Sequence, residues 1–350
     1  MRKTHRSSFR VLSLLAVLVV LVLLLGALQA ILMPKYRTDV LEGALIGEYY
    51  SAKTTHNVLF IGDCEVYESF SPVTLWEEYG ISAYIRGSAQ QLIWQSYHLL
   101  AEAIDRGERP EAVVFNVLAM KYDTPQHEEY NRMTLDRMQW SKHKIAAIRA
   151  SMTEEEDFIT YLFPLLRYHD RISELTMEDF TALFTPAEAI SYNGYLMKTG
   201  VVPMEEATDP ASPYPDALIS ETAFSYLDRM RTLCEENGIK LILVKAPTDN
   251  WKYHWYDDWN DQIVAYASQY HLPYYNFIGM EQEIGIDWTT DTYDAGIHLN
   301  VSGAEKLSRY FGEILVSAHG VSDLRSDKTL SEEWTRISER YMTEKNGGAP

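Results

Sequence analysis

Residues Val11 to Met33 form 23 consecutive positions without a charge, most of them Val and Leu. A run of ~18 or more such residues, rising ~1.5 Å each as a helix, is long enough to cross a hydrocarbon core of ~30 Å. The run predicts a spanning helix, so the remainder is expected to fold beside a bilayer. Arg2, Lys3, Arg6 and Arg10 precede it, and no acidic residue occurs before Asp39. Such an excess of basic groups holds its own end in the cytoplasm and places the chain beyond the span outside. A secretory signal peptide is the competing reading, but its apolar region is usually ~7–15 residues and ends at a small-residue cleavage site. Here the run continues into Met33-Pro34-Lys35, and Leu28 spoils a small-x-small pattern ending at Ala30, so retention as an anchor is expected. Either reading exports the rest of the chain.

About 315 residues lie beyond the span, enough for one large core or a core with a substantial insertion. An apolar fraction of 46% and 24 tyrosines argue against a disordered ectodomain. Residues 1–35 hold five of the 31 basic groups and none of the 50 acidic ones, leaving the remainder near −24. A surface so acidic repels nucleic acid, which is excluded as a partner. The two cysteines, Cys64 and Cys234, are too few for a disulfide scaffold, and no CxxC pair is present. Cys234 falls within a helical pattern, where a buried core thiol is expected.

Asn57-Val-Leu-Phe-Ile-Gly62 reads as a short buried strand running into a glycine turn. Ser82 to Ile85 supplies a second strand, Ala112 to Asn116 a third, Lys240 to Lys245 a fourth and Pro273 to Phe277 a fifth. Between them, helical patterns cover Gln90–Asp105, Ser220–Asn237 and Trp259–Tyr270, with Phe70–Tyr79 a turn or short helix. A last helix, Ser302–Ser317, can be capped by Asn300 or Ser302. This alternation predicts an α/β fold with a mostly parallel sheet covered on both faces, in which polar residues just past the strand ends converge.

Residues 121–215 interrupt the rhythm with Tyr, Met and charge, and with helical patterns at Arg132–Met152 and Glu155–Tyr168. They predict a largely helical insertion that covers a sheet edge or forms a lid. The organisation expected is a cytoplasmic basic segment 1–10, an anchor 11–33, a juxtamembrane segment 34–56, an extracytoplasmic domain 57–320 containing the insertion, and a tail 321–350. Within the tail, Leu330–Tyr341 is amphipathic, and the residues from Lys345 onward are expected to fray.

Small or polar groups come directly after several strands: Gly62-Asp63-Cys64-Glu65, Arg86-Gly87-Ser88 and Asn116. A late loop carries Asp291, Asp294, His298 and Asn300. Nucleophilic acyl chemistry needs an activated Ser or Cys, a base for its proton, an acid that orients the base, and donors for the oxyanion. Cys64, His298 and Asp294 are the residue types that could fill the first three roles. Backbone amides near Cys64 and Gly87, with Asn116, could supply the fourth. Each feature also has a structural reading: a glycine after a strand as a turn, a loop histidine as a surface group, Arg86 in a surface ion pair. Lys245 can line the same cleft or simply end its strand. Trp251, with Tyr253, His254, Trp255 and Tyr256, can stack on sugar rings or pack beneath a lid.

These motifs resemble the SGNH/GDSL hydrolase superfamily, particularly its membrane-anchored cell-envelope branch of DltD-like and alginate-acetylation-like proteins. Gly62-Asp63-Cys64 is similar to the first block, Gly-Asp-Ser, with Cys64 in the nucleophile position. Arg86-Gly87-Ser88 resembles the second block, whose glycine donates to the oxyanion hole, and Asn116 lies where the third block places its asparagine. Asp294-Ala-Gly-Ile-His298-Leu-Asn300-Val-Ser-Gly303 resembles the last block, Asp-x-x-His, and its adjoining helix. The resemblance covers roughly residues 57–117 and 239–316. It departs from the family in having cysteine for serine and four residues rather than three from Asp294 to His298, and either a bulge or Asp291 can compensate for the latter. Glu65 stands where relatives of the envelope branch often carry His.

The resemblance implies a three-layer, flavodoxin-like sandwich and an envelope O-acyltransferase or esterase without a cofactor. Its expected partners are an acylated cell-wall or exported glycopolymer, a membrane-embedded O-acyltransferase, and the lipid bilayer through residues 11–33. A catalytically degenerate accessory or polymer-binding protein on the same scaffold is the alternative. Metal-assisted hydrolysis through Asp63, Glu65, Asp294 and His298 requires two distant loops to meet tightly around a metal with an open position.

Overall fold

Four consecutive residues of the first strand, Val58 to Ile61, are fully buried, and they face alternately into two separate apolar cores. That alternation reflects the two-residue period of a strand and means that both faces of the sheet are covered. The computed structural model describes residues 2–125, 127–185, 188–203, 217–249 and 255–347, with backbone alone for 2–9. Among them are five strands: β1 Val58–Gly62, β2 Ala83–Gly87, β3 Ala112–Asn116, β4 Lys240–Lys245 and β5 Tyr274–Asn276. Their order is β2-β1-β3-β4-β5, and every neighbouring pair is parallel. The predicted strands are present, β2 running two residues further than expected so that Arg86 and Gly87 belong to it.

One core packs Val58, Phe60 and Ile85 against Phe70, Leu307 and Phe311, from helices and turns on that face. The other packs Leu59, Ile61 and Val113 against Leu100, Leu227 and Ile263 of the helices Ile93–Asp105, Glu221–Glu236 and Tyr256–Gln269. Ser220 caps the second of these by accepting from Ala223 N at 3.1 Å. Asn300 caps the helix Val301–Ser317 by accepting from Ser302 N and Gly303 N at 3.0 and 3.3 Å. Cys234 lies in the core as a free thiol.

The chain divides into two units, residues 1–36 with 155–188, and residues 37–154 with 189–350. In the first, the helix Arg2–Leu32 contains the apolar stretch Arg10–Leu32, exposed along most of its length with Leu32 buried at its end, which supports a single-pass membrane topology. The short helices Phe158–Leu162, Leu165–Tyr168 and Met177–Thr181 belong to the same unit, so the predicted insertion is shared between the two.

In the larger unit, residues 189–203 return to the sheet, and their Tyr192-Asn-Gly-Tyr195 turn covers the outer edge of β2. Ile85 N donates to Asn193 O at 2.9 Å and Asn193 Nδ2 donates to Ala83 O at 3.2 Å. Edge cover of this kind removes a template for aggregation. Gly194 has φ +84°, and a Cβ there would fall 2.0 Å from Ile85 O, so only glycine permits the approach. The segment 34–56, read as juxtamembrane, contributes buried Leu45, Ile46 and Tyr49 to this unit. The amphipathic stretch of the tail is the helix Lys328–Lys345, which buries Leu330, Trp334 and Tyr341, and Trp334 stacks on Trp76 at 5.3 Å and 9°.

Candidate active site

The chain runs from β1 outward to β2 and then back across to β3, and in such sheets the crevice beyond the strand ends at this reversal collects ligands. Gly62-Asp63-Cys64 leaves β1 there. A side chain at Gly62 would meet Val66 Cγ2 at 2.6 Å and Asn116 Cβ at 2.9 Å, so glycine is required for the chain to turn between β1 and β3. Asp63 is extended and caps the helix Cys64–Ser69, its Oδ1 accepting from Glu65 N at 3.2 Å. Cys64 is therefore the first helical residue after the strand, and it is partly exposed.

The late loop brings His298 beside this thiol, close enough that each group shifts the proton affinity of the other. His298 Nδ1 donates to Asp294 Oδ2 at 2.6 Å, which leaves Nε2 as the ring nitrogen for the sulfur. Asp294 also accepts from His298 N through Oδ1 at 2.7 Å, so one carboxylate brackets both backbone and ring. The four-residue spacing is absorbed by left-handed conformations at Ala295 (φ 61°) and Gly296 (φ 85°). A left-handed alanine costs on the order of 1 kcal/mol and persists where its surroundings over-determine it. Here Ala295 N donates to Val202 O at 2.8 Å, and Gly296 O accepts from Thr248 Oγ1 at 2.9 Å. Asp291 does not orient the imidazole: it accepts from Lys306 Nζ at 2.6 Å and from Asp287 N at 2.8 Å.

A second carboxylate, not singled out from the sequence, faces the same ring nitrogen. Glu68 Oε2 lies 3.2 Å from His298 Nδ1, and Glu68 Oε1 accepts from Tyr293 OH at 2.8 Å. The Tyr293 ring lies parallel to the imidazole, 6.2 Å away at 16°. Glu68 is one helical turn beyond Cys64, and this i to i+4 spacing is the signal that points to it once a helix is known to begin at Cys64.

Burial opposes an imidazolium at His298, yet the sulfur of Cys64 and the carboxylates of Asp294 and Glu68 outweigh it and raise the pKa well above the ordinary range. Desolvation and the charge of Asp63 push the Cys64 thiol up from its usual 9.0, against the pull of His298.

Beneath the thiol is a second, buried polar cluster. Asn116 Nδ2 donates to Asp63 Oδ1 at 3.1 Å and to Glu65 Oε2 at 2.9 Å, and Lys245 Nζ donates to Glu65 Oε1 at 2.7 Å. Both are almost wholly buried, so the Asn116 amide has no hydrogen left for a substrate oxygen, and Lys245 is committed to Glu65. Burial and then Glu65 push Asp63 up to about 6. Gly87 pairs with Gly62 across β1 and β2, and a Cβ there would sit 3.2 Å from Gly62 O and 3.4 Å from Asp63 O, which places its backbone against the Cys64 turn. Arg86 is not at the surface. It is fully buried, donating to Glu102 Oε2 at 2.9 Å and Leu99 O at 2.5 Å, with Tyr49 beneath its guanidinium. Ser88 bonds the hydroxyl of Thr134 inside the protein.

Trp251, Tyr253 and His254 lie outside the described residues, whereas Trp255 and Tyr256 are buried in the core. Among the described residues no group of three or more His, Cys, Asp or Glu is arranged to hold a metal ion. Asp63 and Glu65 are instead bound by Asn116 and Lys245.

No protein-family model matches the chain, and no curated protein matches it. Solved structures that are distantly similar include the following two. One is a GDSL-like lipase from Bacteroides thetaiotaomicron, 12% identical over 79% of this chain and 98% of that chain, with a TM-score of 0.37. The other is a provisionally named acylhydrolase from Bacteroides fragilis, 12% identical over 78% of this chain and 95% of that chain, also at 0.37. At that distance, any function must rest on this chain's own side chains.

Proposed function

We propose that this chain is an exported, membrane-anchored acyl-transfer enzyme, an O-acyltransferase or esterase acting on acyl groups of a cell-wall or exported glycopolymer. The observation that supports this reading is the grouping of Cys64, His298 and Asp294, a thiol, an imidazole and a carboxylate from distant parts of the chain, with Asp294 hydrogen-bonded to the ring. Residues 1–10 lie in the cytoplasm, 11–33 span the bilayer, and the acyl-transfer unit, 57–320 with its insertion, works on the outer side.

In this mechanism Cys64 Sγ attacks the acyl carbonyl while its proton passes to His298 Nε2. Asp294 holds the ring, and backbone amides of the Cys64 and Gly87 turns receive the developing oxyanion. The tetrahedral intermediate collapses to a thioester as His298 returns the proton to the leaving oxygen. An acceptor hydroxyl, or water, then loses its proton to His298 and attacks the thioester, restoring the thiol. A membrane-embedded O-acyltransferase is the proposed donor partner. Asn116 and Lys245 act beneath the site by fixing Asp63 and Glu65 rather than by touching substrate, and Trp251 is proposed to contact the sugar.

The raised thiol pKa favours a second reading, a catalytically degenerate accessory protein on the same scaffold. Intact mass of the full-length protein after exposure to a short-chain activated acyl ester separates the two. An added acyl mass that is lost in Cys64→Ala and formed more slowly in His298→Ala supports acyl transfer. No adduct and no ester turnover on a folded protein selects the accessory role.

A further inference from the structure

The spanning helix ends at Leu32, where its last carbonyls have no partner within the helix. They are met from two directions. Lys35 Nζ donates to Ala30 O at 2.6 Å, Met33 O at 2.7 Å and Ile31 O at 3.2 Å. Arg171 Nη1 donates to Leu32 O at 2.6 Å. Buried Asp179 stands between these cations, 3.3 Å from Arg171 Nη2 and 3.7 Å from Lys35 Nζ. Thr176 N in turn donates to Asp179 Oδ2 at 2.9 Å. The ladder Lys35–Asp179–Arg171 therefore ties the short helices of this unit to the outer end of the span, and both cations complement the negative end of the helix.

The stretch Arg10–Leu32 has 23 residues. At ~1.5 Å per residue that is ~35 Å, so a helix crossing a ~30 Å hydrocarbon core brings Leu32 to its outer boundary. Whatever is bonded to Leu32 and Lys35 lies at headgroup level. The elements bonded there are unusually apolar on the outside: Leu162 is 43% exposed, Phe163 49%, Leu166 51%, Ile172 67%, Met177 77% and Phe184 85%. Exposed apolar side chains scattered singly are ordinary, but a set concentrated in one short segment marks a contact surface.

We propose that residues 158–184 form a monotopic collar lying in the outer interfacial layer of the bilayer around the exit of the spanning helix, with Leu162, Phe163, Leu166, Ile172, Met177 and Phe184 inserted among the upper acyl chains. The occupant of this surface is lipid, because the span fixes a bilayer at the level to which Arg171 and Asp179 are bonded. The segment carries more acidic than basic groups, so insertion is driven by apolar burial to a depth of ~5–10 Å and not by attraction to anionic headgroups. Zwitterionic lipid suffices.

The test uses the full-length protein in phosphatidylcholine nanodiscs containing a lipid with a diazirine near the top of one acyl chain, with irradiation, digestion and mass spectrometry in turn. Lipid adducts are expected on peptides from 158–184 as well as on 11–33. In the triple variant Ile172→Glu, Met177→Glu, Phe184→Glu, whose side chains are exposed and can change without disturbing a core, adducts on 158–184 fall on the order of tenfold while those on 11–33 persist. Labelling confined to 11–33 overturns the collar and leaves the anchor standing. Labelling absent from both overturns collar and anchor together. A triple variant labelled like its parent, or a dimeric particle in which a second copy shields 158–184 from lipid, also overturns it.

Discussion

Glu68 Oε2 stands 3.2 Å from His298 Nδ1, buried and with no hydrogen-bond partner among the described residues, because Asp294 already takes that nitrogen's proton at 2.6 Å. Two carboxylates thus share one edge of an imidazole in unequal roles, Asp294 as hydrogen-bond acceptor and Glu68 as a near charge. Both favour the imidazolium.

Kinetics should separate these roles. Asp294→Asn removes the acceptor that sets the tautomer and is expected to lower acyl transfer by roughly 10²–10⁴-fold. Glu68→Gln leaves that bond intact but removes a charge that holds the proton on His298, so the imidazole becomes a free base at lower pH. The acid limb of the pH–rate profile should move to lower pH in E68Q, and an unmoved limb would show that Glu68 does not act on the ring.

The thiol should alkylate slowly at neutral pH and faster as pH rises past its ordinary 9.0, measured by iodoacetamide incorporation at Cys64. Cys234, pushed up to about 12 by burial, should stay unmodified. Asp63→Asn removes the negative charge beside Cys64, so its alkylation at neutral pH should accelerate.

Asp63 also predicts a pH-dependent stability. Its folded pKa of about 6 exceeds its usual 3.8, so the folded state binds the proton more tightly than the unfolded chain. Its contribution is greatest below pH 3.8 and is lost as pH rises through about 6. The D63N protein, which can still cap the Cys64 helix, should therefore be more stable than its parent at pH 7, by up to ~3 kcal/mol. The gain should shrink below pH ~4, which urea unfolding across pH would measure.

Lys245→Met leaves Glu65 buried without its cation and should cost ~3–5 kcal/mol, whereas Lys245→Met with Glu65→Leu should recover most of the loss. A double-mutant cycle by urea unfolding measures the coupling.

Trp334→Ala removes a fully buried ring that stacks on Trp76 and whose own Nε1, that of Trp334, donates to Ser82 Oγ at 3.0 Å. The expected cost is ~3–5 kcal/mol in urea or thermal unfolding, from lost transfer energy and the cavity left behind. A tail that merely frayed would show no change.

The spanning helix, the five strands and their helical partners were legible in the sequence because each is a local pattern, a long apolar run or a period of 2 or 3.6, that burial imposes residue by residue. The same was true of Asn300 as a cap, while Cys64, His298 and Asp294 were candidates by residue type alone. What only the tertiary structure decided is how distant groups share space. It selected Asp294 over Asp291, because left-handed turns at Ala295 and Gly296 bring the former back to the ring while Lys306 takes the latter. It added Glu68, turned Asn116 and Lys245 inward to Asp63 and Glu65, buried Arg86, and packed the tail through Trp334 into the core. Each of those outcomes depends on which partner meets a polar group or a ring once water is excluded, and the energy of that choice lies in contacts between residues tens to hundreds of positions apart, to which no local period corresponds.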